Sequence, residues 1–272
     1  MNRIADDSRW ALPDLSSALN CASERCASGM LVTFDHLGEY ARNESQASEN
    51  AANYLTALDG LKNQRLNASL AIKLSALGLT FSYSIAEKHL NGLFKSAEHA
   101  GLVIEIDIEG TPSVQAVCEI AKNASMKGFK TVLALQAYLE RTSEDISACL
   151  EAGLKIRLVK GAYKGDIEDF GQIQKRFLTL AEQLLASGRP FDVGTHDPLL
   201  LKAIIARLGQ QQRDKVCFGF LKGLADKTKV EMSASGYQVS EYLPFGENRS
   251  AYVARRHAYL KRLANLNLDP AP

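Results

Sequence analysis

The 272-residue chain is 46% hydrophobic and 23% charged with a formal net charge of +1, the profile of an ordinary globular protein long enough for one large domain. So balanced a charge gives no reason to expect a nucleic-acid or acidic-polymer partner. The five cysteines (Cys21, Cys26, Cys118, Cys149, Cys217) are scattered and form no C-x-x-C pair, which reads as reduced thiols in a cytoplasmic protein, not as a disulfide framework or metal site.

Taken in chain order, Met1–Ser28 reads as a helical arm ahead of one domain over residues 29–272. Its acidic and basic residues break any signal-peptide run, and no later stretch reaches the roughly 18 apolar residues of a spanning helix. Strand Met30–Phe34 is followed by helix Glu49–Asn63, and Ser69–Leu74 by Ile85–His99. Leu102–Asp107 is followed by Ser113–Met126, and Lys130–Leu135 by Ser143–Ala152. Then come Lys155–Lys160 with Phe170–Ala186, Phe191–Gly194 with Pro198–Leu208, Lys215–Phe220 with Ala225–Ser235, and Gln238–Tyr242 with Asn248–Leu263. Runs such as LVIEIDI and VLALQ suit strands covered on both faces. Asp197-Pro198 is a cap followed by proline at the first helical position, and Gly101, Gly128, Gly153 and Gly188 stand where helices should stop.

Eight strand–helix pairs predict a (βα)8 TIM-type barrel, whose active site belongs at the C-terminal ends of the strands. The polar residues there are Asp35, Lys73, Asp107, Gln136, Lys160 with Tyr163, Thr195 with His196, and Tyr242. Lys73, in an apolar strand end, needs a partner, for which Asp107 and Glu109 are the candidates; a structural ion pair is the plain alternative. Arg157 and Lys160, three apart in one strand, should face opposite sides, each meeting an anion or a neighbouring carboxylate. The helix opening at Gly194–Asp197 offers backbone N–H groups that suit phosphate, although the segment serves equally as a simple turn and cap. Gly161 and Gly165 would permit close approach of a ligand. Charge pattern alone makes Arg255-Arg256 part of a basic solvated face with Lys261 and Arg262.

Seven segments in order, VTFDHLGE, IKLSALG, EIDIEG, LQAYLERTSEDI, IRLVKGAYKGD, VGTHDP and YLPFGENRSAYVARR, resemble the proline dehydrogenase (proline oxidase) family. The resemblance implies a distorted barrel holding FAD, with the last helix crossing the catalytic end, which turns the arginine pair inward. It implies that Arg255 and Arg256 clamp a substrate carboxylate beside Lys73, that Tyr242 packs on the substrate ring, and that Tyr163 closes the pocket. Asp107 would position these groups, Arg157 would sit near the flavin N5 edge and Gln136 near the isoalloxazine. Lys160, Gly161, Ala162, Thr195 and His196 would line the cofactor.

The implied reaction is oxidation of L-proline to Δ1-pyrroline-5-carboxylate by hydride transfer to flavin, with electrons passed to a quinone or another acceptor. That acceptor implies transient contact with the inner membrane face. Two departures stand out: Cys217-Phe218-Gly219 replaces a usual E-F-Q, and Tyr259 replaces a usual glutamate. They open a hydroxylated, N-substituted or thia-proline as substrate, or a flavin- or proline-binding sensor without turnover. A cofactor-free lyase using Lys73 as a Schiff-base amine is the other enzymatic reading.

Overall fold

The computed structural model describes residues 7–163, 165–266 and 268; the first six residues of the expected Met1–Ser28 arm lie outside them. A helix α1 (Leu15–Ala27), capped by the Asp14 side chain accepting from Ser17 N–H, precedes eight strand–helix units. These are β1 (Leu31–His36) with α2 (Glu44–Gln64), β2 (Ala68–Lys73) with α3 (Tyr83–Ala100), β3 (Val103–Asp107) with α4 (Val114–Met126) and β4 (Thr131–Gln136) with α5 (Thr142–Glu151). The second half holds β5 (Lys155–Val159) with α6 (Phe170–Ala186), β6 (Phe191–Gly194) with α7 (Pro198–Arg207), β7 (Val216–Leu221) with α8 (Asp226–Ala234) and β8 (Gln238–Phe245) with α9 (Ser250–Asn265). Each strand pairs in parallel with the next, and β8 closes on β1. The expected TIM-type barrel is therefore the observed fold.

Strand alternation decides the chemistry of the barrel. Ile104, Ile106, Leu133, Leu135, Ile156 and Leu158 point out into the hydrophobic layer beneath the helices. The residues between them, Asp107, Ala134, Gln136 and Arg157, line the interior cavity. The near-continuous apolar runs expected for strands covered by apolar groups on both faces are thus one apolar outer face and a largely polar inner one. A polar interior is tolerated because its members pair: Glu105 accepts from Thr33 at 2.9 Å and from Ser69 and Arg157.

Element ends differ from expectation in two instructive places. α2 starts at Glu44, five residues before the expected Glu49, because Asn43 caps it by accepting from Gln46 N–H; its first turns bury only alanines (Ala47, Ala51), so hydrophobic periodicity does not mark them. β8 runs on to Phe245 because residues before α1 extend the sheet: Leu12 N–H donates to Pro244 O at 2.8 Å and Gly246 N–H to Leu12 O at 3.1 Å. The four glycines expected at helix stops all have left-handed φ, from +66° at Gly188 to +89° at Gly128.

Two features set the position of α9. The N-terminal segment packs beneath it, with Trp10, Ala11 and Leu37 clustered against Tyr252 and Val253, and the Trp10 ring edge-on to His257 at 4.7 Å. On its other side α9 spans the C-terminal mouth of the barrel. Arg255 pairs with Glu39 after β1, and Arg262 donates to the Glu168 carbonyl before α6.

Candidate functional site

Between α9 and the strand ends lies a cavity of about 640 Å³, within the usual range for small-molecule and cofactor sites. Every residue given a substrate, cofactor or catalytic role from the sequence lines it: Lys73, Asp107, Gln136, Arg157, Lys160, Gly161, Ala162, Tyr163, Thr195, His196, Tyr242, Arg255 and Arg256. Asp35 and Tyr252 join them, and neither carried a role in the sequence reading.

The floor is an ion-pair network. Lys73 Nζ lies 2.6 Å from Asp35 and 3.4 Å from Asp107. Of its two expected partners Glu109 is not one; Glu109 instead accepts from Ser75 N–H at 3.1 Å and Ser75 Oγ at 2.6 Å. The reason is closure: β1 is a sheet neighbour of β2, which brings Asp35 beside Lys73, whereas Glu109 lies two residues past the end of β3. Burial by itself would strip Lys73 of its proton, but Asp35, then Tyr242 and Asp107, outweigh it and hold the ammonium well above its ordinary pKa. Arg157 pairs with both Glu105 and Asp107. Burial pushes Asp107 up, but Arg157 and Lys73 pull its carboxyl below the ordinary range. Tyr242 Oη donates to Asp107 at 2.7 Å, and its ring lies 5.4 Å from the Arg157 guanidinium.

Lys160 does not alternate with Arg157 as expected. It lies one residue past the end of β5, where strand geometry no longer applies, so both cations reach the same cavity. Lys160 Nζ pairs with Asp197 at 2.6 Å and lies 4.2 Å from the centre of the Phe170 ring. The N–H groups opening α7 are already taken: Asp197 Oδ1 accepts from Leu199 and Leu200. That end is a capped helix carrying an acid–lysine pair, the turn-and-cap alternative of the sequence reading. His196, buried, accepts from Leu221 N–H through Nε2 at 2.9 Å. Burial first, then Arg256, Lys229 and Lys160, depress its pKa to about 3, so the ring is neutral.

The close approach expected at Gly161 and Gly165 is made by Tyr138. A Cβ on Gly161 (φ +129°) would sit 1.6 Å from the Tyr138 ring, and one on Gly165 1.9 Å from it. Tyr138 was missed because an aromatic residue two positions past a buried strand reads as ordinary core.

The two adjacent arginines of α9 behave differently. Arg255 is held by Glu39, with Nη2–Oε1 at 2.6 Å and Nη1–Oε2 at 3.2 Å, and Tyr163 Oη donates to the same carboxylate at 3.1 Å. Arg256 is only 9% exposed and, among the described residues, pairs with no carboxylate; its Nε is buried without a hydrogen-bond partner. Its neighbours are rings, Tyr252 at 5.1 Å and Tyr259 at 5.9 Å. With tyrosine rather than an acid at position 259, Arg256 has no anion on its own helix. A buried guanidinium so placed is costly unless something anionic meets it.

Residues 18–267 match the family model for proline dehydrogenase. The chain is 29% identical over 250 residues to proline dehydrogenase 1 of Bacillus subtilis, covering 90% of this chain and 83% of that one. Proline dehydrogenase of Deinococcus radiodurans is 24% identical over 286 residues, covering 97% and 91%. In structure it resembles proline utilization A of Bdellovibrio bacteriovorus, inactivated by N-propargylglycine, with a TM-score of 0.82 at 19% identity over 92% of this chain. Proline utilization A of Bradyrhizobium japonicum superposes with a TM-score of 0.77 at 21% identity, again over 92% of this chain. The chain spans only 32% and 30% of those two longer proteins. A match over nearly its whole length places it: the chain belongs to the proline dehydrogenase family.

Proposed function

We propose that the protein is an FAD-dependent dehydrogenase that oxidises L-proline to Δ1-pyrroline-5-carboxylate in the cavity under α9. The observation that carries this reading is Arg256, a buried guanidinium with no carboxylate partner among the described residues, in a cavity balanced elsewhere by ion pairs. A ring amino acid supplies the missing anion. Arg256, with Arg255 beside it, holds the carboxylate in a geometry that orients as well as binds. Tyr242 and Tyr252 offer aromatic faces to the apolar ring.

FAD, when bound, supplies the two-electron acceptor that takes a hydride from the carbon beside the ring nitrogen. The residues fit such a group by their own chemistry. Gln136 presents an amide, Arg157 a guanidinium, and Lys160, Thr195 and His196 line the same wall. A carboxylate clamped at one end fixes where the far carbon of the ring lies, and orientation of that kind can supply several kcal/mol of a barrier. The ring nitrogen must be neutral for its lone pair to assist, and Lys73, Arg255 and Arg256 disfavour the ammonium form. Arg157 stabilises negative charge developing near it. Lys73, kept protonated by Asp35, has no free lone pair for a Schiff base, which counts against a lyase.

A quinone or another acceptor completes the cycle. No helix among the described residues is long and apolar enough to cross a membrane, so contact with one would be at its surface. The test is anaerobic bleaching of the purified yellow protein by a panel comprising proline and its hydroxylated, N-substituted and thia analogues. Proline giving the highest kcat/KM supports the proposal. A better analogue moves the substrate, yellow protein that nothing bleaches is a sensor, and colourless protein ends the flavin reading.

A further inference from the structure

A circuit of hydrogen bonds, bridged covalently from Glu39 to Tyr40 and within Glu109, begins and ends at Tyr163. Tyr163 Oη donates to Glu39 at 3.1 Å. The next residue, Tyr40, donates its N–H to Ser75 Oγ at 3.0 Å, and Ser75 Oγ donates to the Glu109 carboxylate at 2.6 Å. Gln136 Nε2 donates to the Glu109 carbonyl at 3.0 Å, Tyr138 Oη donates to Gln136 Oε1 at 2.5 Å, and Tyr163 N–H donates to Tyr138 Oη at 2.9 Å. The circuit joins segments that follow β1, β2, β3, β4 and β5.

Its direction is forced at Tyr138. A backbone N–H only donates and a backbone carbonyl only accepts. Tyr138 Oη must therefore accept from Tyr163 and spend its proton on Gln136. The Gln136 oxygen must face Tyr138 and its nitrogen must face Glu109. That leaves one Gln136 N–H as the donor available to whatever lies in the cavity. Tyr138 also holds the β5–α6 loop by its carbonyl, which accepts from Asp166 N–H at 3.2 Å and Ile167 N–H at 3.0 Å. Its ring fills the notch left by Gly161 and Gly165.

We propose that Tyr138 is a positioning residue that fixes Gln136 as a hydrogen-bond donor to the bound cofactor ring and fastens the loop carrying Lys160 and Tyr163. The inference rests on the proposed flavin in this cavity. Tyr138→Phe in the holoenzyme keeps the ring in its notch and removes only the hydroxyl. Flavin content should stay near wild type. The flavin midpoint potential should fall, because an N–H donor strengthens toward the electron-rich reduced ring. KM for proline should rise about tenfold, the loss of roughly one buried hydrogen bond. In a Gln136→Leu background, Tyr138→Phe should leave the potential where it is.

A Tyr138→Phe potential equal to wild type overturns the proposal, and so does a shift that persists undiminished with Gln136→Leu. Where Tyr138→Phe fails to accumulate, Gln136→Met decides. It removes the donor without adding a charge, so a lowered potential supports the assignment and a wild-type potential overturns it. Wild-type protein without flavin would instead remove the functional reading beneath it.

Discussion

Replacing Arg256 by methionine separates a substrate-binding arginine from a structural one, because the two roles predict opposite effects on stability. The Arg256 guanidinium is buried, pairs with no carboxylate among the described residues and has an unpartnered Nε. Methionine of similar length keeps the packing against Tyr252 and Tyr259 and removes a buried charge, which is neutral or stabilising when nothing pairs with it. With substrate present the same change deletes a charge-assisted contact to a carboxylate, each such hydrogen bond contributing about 1.5–3 kcal/mol. One to two of them correspond to a KM increase of roughly tenfold to ten-thousandfold. Flavin content should hold, because the residue meets the carboxylate and not the cofactor. The assay is steady-state oxidation over a wide proline range, alongside thermal unfolding of the flavin-free protein. An unchanged KM, or a Tm that drops by the ~2–4 °C expected per kcal/mol in a domain of this size, refutes the reasoning and makes Arg256 a structural cation.

Three other outcomes follow from single contacts. Tyr242→Phe removes the 2.7 Å bond to Asp107 and should lower kcat/KM about tenfold with flavin still bound; wild-type kinetics would detach Asp107 from the chemistry. His196, neutral in the fold with a pKa of about 3 against an ordinary value of 6.5, makes stability pH-dependent in a definite direction. The unfolded chain takes up a proton near 6.5 that the folded chain refuses, so its contribution is complete above pH 6.5 and is lost progressively as pH falls toward 3. The urea midpoint of His196→Asn should therefore decline less than that of wild type between pH 6.5 and 4.5, and parallel curves would contradict the assignment. Gly161→Ala places a Cβ 1.6 Å from the Tyr138 ring at a φ of +129°. It should cost several kcal/mol, whereas Gly209→Ala, at a φ of −69° with its nearest contact at 3.5 Å, should be mild; equal urea midpoints would show that the ring does not sit in that notch.

All eight strands were legible because short β-rich apolar runs bounded by glycines and helical caps are local properties. Each expected strand overlaps its observed counterpart, from Leu31–His36 to Gln238–Phe245. The site residues were legible as types at strand ends, but not their direction, which the structure shows in the inward Asp107 beside outward Ile104 and Ile106. Pairing was not legible. That Lys73 meets Asp35 and not Glu109 depends on which strands become neighbours when the sheet closes. The inward turn of Arg255 and Arg256 was invisible to charge pattern, because YVARRHAYLKRL reads as a solvated basic face until something places that helix across the barrel. Glu39 matters only through partners far away in sequence, as in the 124-residue separation between Tyr163 and Glu39.

The sequence by itself determined the elements and their order, since backbone sterics and hydrophobic periodicity act over a few residues. Only the tertiary structure decided which charges neutralise one another and which is left over. Electrostatic pairing is a property of distance in space, and closing the barrel under α9 is what leaves Arg256 without an anion among the described residues.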